Sequence, residues 1–349
     1  MNDAAREEIA HALVAPGKGV LAADESSPTM AKRLAGVGLE STEPRRRAYR
    51  EILFTTGGLS EHIGGVILFD ETVRQQDQDG TPFPDLLRRQ GIVPGIKVDR
   101  GTRPLAGFPH EVATQGLDGL RERLEEYAGL GLRFAKWRAV IRIAEGVPTN
   151  AAVEANAHEL ARYAALSQEA GLLPIVEPEV LMDGPHDLGT CTDVTERVLR
   201  EVYAQLSRQR VVLEASLLKP NMVLPGTDSD FVATDERIAQ ATLEVLRRAV
   251  PAAVPGILFL SGGQSDEQAT ARLDAINRLR TQPWELSFSF GRALQAPVLK
   301  EWAGVDANRA AAQAALLKRA RLNGAARYGR YTTELEQSTP GAAAIAVHH

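Results

Sequence analysis

The sequence predicts a single (β/α)8 barrel, an α/β fold in which eight parallel strands alternate with helices. Eight short runs rich in β-branched residues or leucine alternate with amphipathic segments of helical spacing. The runs recur at roughly 30 to 46 residues, the size of a strand–helix unit. The count of units and the length of 349 residues favour a barrel. A doubly wound open sheet is the alternative that this pattern leaves open.

The predicted strands are the eight apolar runs. They cover residues 19–22, 65–69, 92–98, 133–137, 172–176, 211–218, 257–260 and 286–290. Helical spacing of apolar residues is clearest over residues 117–127, 152–170, 193–207, 235–249 and 266–280. Thr192 or Asp193, and Ser265 with Asp266, are the expected N-caps of two of these helices.

Composition and charge exclude several classes of protein. The chain is 44% hydrophobic and 24% charged, which excludes a disordered or collagen-like chain, and its one cysteine excludes a disulfide framework. The net charge of −5 argues against a nucleic-acid partner. The N-terminus lacks the apolar region of a secretory signal, and no apolar stretch approaches the roughly 18 residues of a membrane span. We therefore expect a cytoplasmic protein with no nucleic-acid or membrane partner.

We expect one domain over residues 1–349, because no flexible linker or block of charge divides the chain. The barrel core is predicted over about residues 17–305, and residues 306–349 are predicted to form a C-terminal helix and a flexible tail. Residues 1–16 are expected to form an extra helix outside the barrel. The Ala-rich segment after about Ser338 is expected to be poorly ordered.

Charged or small polar residues follow nearly every predicted strand. In chain order they are Asp24, Glu25 and Ser26; Lys97 and Asp99; Lys136 and Arg138; Glu177 and Glu179; Lys219; Ser261, Gly262 and Gly263; and Ser289, Gly291 and Arg292. One charged residue at a strand end is usually an ordinary rim residue. Seven strand ends of this kind converge in a barrel on its C-terminal face, where barrel enzymes place their active sites.

The charges expected at this face predict an anion site. Six basic residues face three acidic ones, a net charge of about +3, and two phosphate groups would match it. The basic set is Arg33, Lys97, Lys136, Arg138, Lys219 and Arg292, and the acidic set is Asp24, Glu177 and Glu179. The Ser261–Gly263 turn precedes a predicted helix, whose N-terminus offers N–H donors to phosphate.

Neither a metal nor an organic cofactor is expected. The seven histidines form no ligand pair at metal-binding spacing, and no dinucleotide or phosphate-loop motif follows the first strand. The chemistry is therefore assigned to side chains.

Lys219 is the best candidate nucleophile. An amine attacks a carbonyl only when neutral, and burial or a second cation such as Lys136 can favour that form. Nearby carboxylates would move the protons. The alternative is that Lys219 forms only a fixed ion pair with Glu177.

These residues lie in motifs that resemble class I, Schiff-base-forming fructose-1,6-bisphosphate aldolases over about 280 residues. The matching segments are APGKGVLAADES (15–26), AKRL (31–34), IGGVILF (63–69), GIKVD (95–99), TQGLDGL (114–120), FAKWR (134–138), NAHELARYA (156–164), PIVEPEV (174–180), LLKPNMV (217–223), FLSGGQS (259–265) and SFGRALQ (289–295). The resemblance implies a single barrel, no cofactor, and a homotetramer that acts on sugar phosphates.

The resemblance also implies a role for each site residue. Lys219 would form the Schiff base, Glu177 would protonate and remove the carbinolamine hydroxyl, and Glu179 would tune Lys219. Asp24 would accept the C4-hydroxyl proton, with Lys136 holding the intermediate. The remaining residues would bind phosphate: Ser261, Gly262, Gly263, Ser289, Gly291 and Arg292 that of the dihydroxyacetone half, and Arg33, Lys97 and Arg138 the far one.

The implied reaction is reversible cleavage of fructose 1,6-bisphosphate to dihydroxyacetone phosphate and glyceraldehyde 3-phosphate, a step of glycolysis and gluconeogenesis. The chain departs from the family pattern at Ser27-Pro28-Thr29, at Asp70 where the family commonly has His, at Ala215 where it usually has Gly, and at its end, which lacks the Tyr of animal members. Two alternatives remain open: an aldolase for another ketose phosphate, such as sedoheptulose bisphosphate or fructose 1-phosphate, and a non-catalytic sugar-phosphate-binding scaffold.

Overall fold

The computed structural model, which describes residues 3–279 and 282–337, has a closed barrel of eight parallel strands at its centre. The barrel order is β1-β10-β9-β8-β7-β6-β3-β2. The barrel strands are β1 (Gly19–Ala23), β2 (Ile63–Leu68), β3 (Val93–Lys97), β6 (Phe134–Ile141), β7 (Leu173–Val180), β8 (Leu217–Leu218), β9 (Gly256–Phe259) and β10 (Glu285–Phe290). The predicted barrel is therefore confirmed over the open sheet. A separate antiparallel hairpin consists of β4 (Thr102–Pro104) and β5 (Val112–Thr114).

Helices follow the strands around the barrel. They are α1 (Asp3–Leu13), α2 (Ser27–Ala35), α3 (Glu43–Phe54), α4 (Asp70–Val73), α5 (Phe83–Arg89), α6 (Leu120–Gly129), α7 (Asn150–Glu169), α8 (Leu188–Arg208), α9 (Asp235–Ala249), α10 (Asp266–Arg278), α11 (Arg292–Trp302), α12 (Arg309–Ala326) and α13 (Glu334–Gln337). The five helices predicted from periodicity are all present. Ser265 caps α10 in a reciprocal capping box with Gln268, as the sequence predicts.

Two boundaries differ from the sequence prediction. The run 211–218 contributes only Leu217–Leu218 to the barrel, because residues 211–216 form turns and Pro220 has no N–H to continue the ladder. The predicted cap at Thr192 or Asp193 is wrong as well. Helix α8 starts at Leu188, where the Asp187 side chain accepts a hydrogen bond of 2.8 Å from Thr190 N.

The expected extra N-terminal helix is present as α1, and it closes the N-terminal end of the barrel. Leu13 is fully buried and packs in the inner core with Phe134 and Ile175. Gly65 on β2 makes room for this helix, since a Cβ at that position would overlap the Leu13 side chain. The apolar residues of α1 therefore fill the bottom of the barrel rather than an outer surface.

The β4–β5 hairpin is held against α7 by two carboxylates. Glu111 accepts hydrogen bonds from Thr149 N (2.8 Å) and Thr149 Oγ1 (2.7 Å). Glu159 accepts one from Thr114 N (3.0 Å), and Thr114 Oγ1 in turn donates to Arg138 O on β6 (2.9 Å). The hairpin is thereby joined to the strand that carries Lys136 and Arg138.

The C-terminal region packs on the outside of the barrel through α12, which contacts α10, α11 and α3. Glu336 pairs with the buried Arg319 at 2.5 Å and so anchors α13 to α12. The tail expected to be poorly ordered after about Ser338 lies outside the described residues. Within residues 3–279 and 282–337, no helix is both long and apolar enough to span a membrane.

We predict that Glu159 makes the stability of the fold depend on pH. Burial raises the pKa of its carboxyl to about 7, more than the Thr114 N–H and Arg162 lower it. Because this pKa lies above the ordinary value, the free energy of unfolding decreases as the pH rises toward and through 7. Glu159→Gln removes the ionisation, so the melting temperature of the variant relative to wild type should be higher at pH 8 than at pH 5.

Glu154→Gln, on the exposed face of the same helix, is the matched control. Thermal denaturation at both pH values measures the effect. A Glu159→Gln difference that is the same at pH 5 and pH 8 would contradict the prediction.

Candidate active site

A cavity of about 1170 Å3 opens at the C-terminal end of the barrel. All fourteen site residues predicted from the sequence line it. They are Asp24, Arg33, Lys97, Lys136, Arg138, Glu177, Glu179, Lys219, Ser261, Gly262, Gly263, Ser289, Gly291 and Arg292. The structure therefore brings together side chains that are up to 268 positions apart in the chain (residues 24 and 292).

The centre of the cavity is a buried network of two lysines and two carboxylates. Glu177 lies between the lysines: its Oε1 is 3.0 Å from Lys219 Nζ and its Oε2 is 3.0 Å from Lys136 Nζ. Lys136 Nζ is also 2.8 Å from Asp24 Oδ2. Glu177, Lys136 and Lys219 are each at most 4% exposed. Lys219 therefore does form the ion pair with Glu177 that was the alternative to a nucleophilic role. This pair is part of a larger network that also includes Lys136 and Asp24.

The strand register places these groups side by side. Lys219 N donates to Val176 O (2.8 Å), so Lys219 leaves β8 next to Glu177 on β7. On the other side, Arg138 of β6 is in register with Glu177. Beyond Lys219 the backbone ladder to β7 stops at Pro220, which has no N–H. The Asn221 side chain replaces it, since its Oδ1 accepts a hydrogen bond of 3.1 Å from Val180 N at the end of β7.

The network determines which groups are charged. Burial by itself would raise the pKa of the Asp24 carboxyl, but Lys136 and Lys219 outweigh it and hold the pKa well below its usual range. Burial also opposes the charged form of Glu177, and the same two lysines hold the pKa of Glu177 below its ordinary value. For Lys136, burial lowers the pKa, but Asp24 and Glu177 raise it well above its ordinary value. Asp24 and Lys136 therefore stay ionised at neutral pH.

Glu179 has a different neighbour from the one that the sequence implied. It pairs with the Nε of Arg138, whereas the carboxylate in contact with Lys219 is that of Glu177. Lys97 pairs with Asp99 Oδ1 at 2.6 Å. Arg138 and Lys97 both line the cavity, so each offers a cation that already has a carboxylate partner.

The loops after β9 and β10 form a cradle suited to an anion. Ser289 is 1% exposed, and its Oγ has no hydrogen-bond partner among the described residues although it lines the cavity. Helix α11 begins at Arg292, directly after Gly291, so its N-terminal N–H groups face the same region. A Cβ built on Gly291 would lie 3.3 Å from Ala22 O, so the backbone at this position is close to β1.

Two arginines border this cradle. Arg292 donates a hydrogen bond to Gly262 O, which joins the two loops. Arg33 lies on the other side: a Cβ built on Gly291 would be 3.8 Å from Arg33 Nη2. Arg33 therefore lies beside the residues that the sequence assigned to the near phosphate, although the sequence grouped it with the far one.

The charge of the cavity is closer to balance than the sequence indicated. Among the described residues, nine basic and eight acidic side chains line it, so the net charge is about +1 and not +3. Glu25 and Asp99 account for part of the difference, because both follow predicted strands but were left out of the sequence count. The lining also includes Asp70, which directly follows the predicted strand 65–69, and Arg74 and Glu126, which lie farther along the chain from a strand end. The sequence count left out Asp70 as it did Glu25 and Asp99, and distance along the chain concealed the other two.

Sequence reasoning also missed Asn221 and the partner of Glu25. Asn221 lies in the LLKPNMV segment, so its position after Pro220 was a usable signal. Arg50, which pairs with Glu25 at 2.7 Å, lies in the arginine-rich segment of α3 and has the pattern of a solvated helix face. No group of three or more His, Cys, Asp or Glu residues in the described part of the chain is arranged to hold a metal ion.

The chain matches known proteins over nearly its full length. The family model described as fructose-bisphosphate aldolase class-I matches residues 6–348. A probable fructose-bisphosphate aldolase class 1 of Xanthomonas campestris pv. campestris is 56% identical over 325 residues, 93% of this chain and 97% of that protein. Fructose-bisphosphate aldolase 6, cytosolic, of Arabidopsis thaliana is 56% identical over 317 residues, 90% of this chain and 88% of that protein.

A solved structure gives the same result. It is a fructose-bisphosphate aldolase from Plasmodium falciparum in complex with TRAP and a small molecule inhibitor. The two folds agree with a TM-score of 0.94 at 47% identity, over 95% of this chain and 96% of that chain. Barrel, cavity and similarity agree, and the chain belongs to the class I fructose-bisphosphate aldolases, the lyases that cleave fructose 1,6-bisphosphate.

Proposed function

We propose that the cavity cleaves fructose 1,6-bisphosphate reversibly through an imine on Lys219. The observation that carries this proposal is the contact of 3.0 Å between buried Lys219 Nζ and Glu177, whose other oxygen is held by Lys136. A buried amine beside a carboxylate and a second cation has the groups that imine formation requires.

Imine formation begins when Lys219 transfers a proton to Glu177 and becomes a neutral amine. The amine attacks the C2 ketone carbon, and the resulting carbinolamine loses its hydroxyl as water with the proton that Glu177 returns. Because the two lysines lower the pKa of Glu177, its protonated form is a strong proton donor. The charged Lys136 stabilises the anionic oxygen that develops beside it.

Cleavage then breaks the C3–C4 bond. Asp24, which Lys136 keeps ionised, accepts the proton of the C4 hydroxyl, and that oxygen becomes the aldehyde of glyceraldehyde 3-phosphate. The electron pair of the broken bond moves toward the imine nitrogen and forms an enamine. Protonation at C3 and hydrolysis release dihydroxyacetone phosphate and restore Lys219.

The two phosphates occupy opposite sides of the lysine network. The near phosphate is held by the cradle of Ser261, Gly262, Gly263, Ser289, Gly291 and Arg292. Lys97 and Arg138 meet the far phosphate, and Glu179 positions Arg138 for it. The place of Arg33 next to Gly291 supports a contact with the near phosphate.

We also propose that the enzyme acts in glycolysis and gluconeogenesis in the cytoplasm, without a metal or organic cofactor, as a homotetramer. The cytosolic Arabidopsis relative supports the location. The tetramer follows from the family resemblance, and sedimentation analysis of the purified protein tests it.

Covalent trapping tests the nucleophile. Borohydride reduces an imine to a stable secondary amine, so treatment with dihydroxyacetone phosphate and borohydride should inactivate the enzyme and add one adduct at Lys219. Peptide mass spectrometry locates the adduct. Treatment with a chelator should leave turnover unchanged. An adduct at another lysine, or activity lost to the chelator and restored by metal, would refute the assignment.

Glu177→Gln tests the proton transfer. The amide cannot accept the Lys219 proton or donate one to the leaving hydroxyl, so imine formation should slow about 10²- to 10⁴-fold. The rate of adduct formation under borohydride measures this step separately from cleavage. Thermal denaturation of the variant controls for folding. Imine formation at the wild-type rate would show that another group moves the proton.

Lys97→Ala tests the far phosphate and separates the substrate alternatives. A charge-assisted hydrogen bond to phosphate contributes about 1.5–3 kcal/mol, so kcat/KM for fructose 1,6-bisphosphate should fall by about tenfold or more. The loss for fructose 1-phosphate, which lacks that phosphate, should be much smaller. Arg292→Ala is the comparison, since it should weaken both substrates. Equal losses for both substrates in Lys97→Ala would remove Lys97 from the far phosphate site.

A further inference from the structure

One wall of the cavity is supported by an ion cluster that the reaction steps above do not use. It consists of Glu25 after β1, Arg33 of α2 and Arg50 of α3. Glu25 Oε1 pairs with Arg33 Nη1, and Glu25 Oε2 is 2.7 Å from Arg50 Nη2. One carboxylate is therefore shared between two guanidinium groups, and the cluster carries a net charge of +1.

The two arginines differ in their access to the cavity. The Arg33 side chain is 27% exposed and lines the cavity, whereas that of Arg50 is only 2% exposed and lies behind Glu25. Among the described residues that line the cavity, Glu25 is the one that pairs with Arg50. A guanidinium buried to this degree requires a carboxylate partner, and the ion pair with Glu25 supplies it.

Gln295 of α11 fixes the orientation of Glu25. Its Nε2 donates to Glu25 Oε1 (2.8 Å) and to Ala22 O (2.7 Å), and its Oε1 accepts a hydrogen bond of 3.4 Å from Arg50 Nη1. Helix α11 is the helix whose N-terminus faces the proposed phosphate cradle. The cluster therefore joins Arg33 to the same structural unit as Arg292.

The charge balance gives Arg50 a role. If Glu25 had Arg33 as its only partner, the pair would be neutral, and Arg33 would lose its carboxylate contact on binding a phosphate. With Arg50 present, Glu25 keeps a cation when Arg33 turns toward an anion. The charge of Arg50 matters because the charges of the residues that line the cavity sum to only about +1.

We propose that Arg50 is a positioning residue that neutralises Glu25 and so keeps the positive charge of Arg33 available to a substrate phosphate. The inference rests on the proposed function in one respect, that a phosphate binds beside Arg33. It adds a residue outside the cavity to the determinants of phosphate affinity.

Inorganic phosphate is the probe, with its dissociation constant measured by titration calorimetry on the full-length enzyme. Arg50→Met removes the charge and retains an apolar stem of similar length. Phosphate should bind about 10- to 100-fold more weakly, the range of one charge-assisted hydrogen bond. KM for the bisphosphate should rise similarly, whereas kcat should change by less than about threefold. Arg47→Met on the same helix breaks the pair with Glu51 instead and should leave phosphate affinity unchanged.

The double variant Glu25→Gln/Arg50→Met separates charge from structure. It removes both charges of the buried pair and leaves Arg33 as a cation without a competing carboxylate, so phosphate affinity should return to within about threefold of wild type. Arg50→Lys, which keeps the charge, should also bind phosphate nearly as wild type does. If Arg50 had only a structural role, the double variant would bind no better than Arg50→Met.

Three results would overturn the proposal: wild-type phosphate affinity in Arg50→Met, no recovery in the double variant, or an equal loss in Arg47→Met. Should Arg50→Met fail to fold, Arg50→Gln removes the same charge, and its comparison with the double variant applies the same criteria. Borohydride trapping at Lys219 is measured on each variant. Because calorimetry does not require turnover, a failure of trapping refutes the imine mechanism while phosphate binding still decides the role of Arg50.

Discussion

The burial of two lysines at the mouth of the barrel is the constraint on which the rest of the site depends. A charged ammonium group that is removed from water needs a carboxylate beside it. The Glu177 carboxylate meets this need for both lysines, because its oxygens are 3.0 Å from Lys136 Nζ and 3.0 Å from Lys219 Nζ. These contacts require the ends of β6, β7 and β8 to hold a common register. The short β8, with Asn221 completing the link to β7, provides that register although the backbone ladder has ended. The register of the barrel strands therefore also determines which groups at the centre of the cavity are charged.

Three other cations of the cavity follow the same rule, since each of them has a carboxylate neighbour before any ligand arrives. Lys97 has Asp99, Arg138 has Glu179, and Arg33 has Glu25. A phosphate that enters competes with these carboxylates for positions that are already defined. Because the net charge of the cavity is only about +1, an anion is selected by the geometry of several donors acting together and not by a large excess of positive charge.

Much of this could be predicted from the sequence, since the barrel and its site rest on local signals. Strand runs, helix periodicity and the charged residue after each strand are all readable along the chain, and they located Lys219, Glu177 and Asp24. Pairing in space is not readable in this way. The apolar face of α1 is the same whether the helix covers the barrel floor or an outer surface. Arg50 follows three other basic residues of α3, and only the fold shows that it is buried behind Glu25.

The position of α1 affects the route by which ligands enter and leave, as well as the packing of the barrel. With Leu13 seated among the inner residues, the floor of the barrel is closed, and the cavity described opens at the opposite end. Substrate and both products then share one passage. In the proposed mechanism the ketone-derived half stays covalently bound to Lys219 after cleavage, so the aldehyde leaves first. In the proposed mechanism the order of product release thus follows from the covalent link, and the closed floor sends both products out at the same end of the barrel.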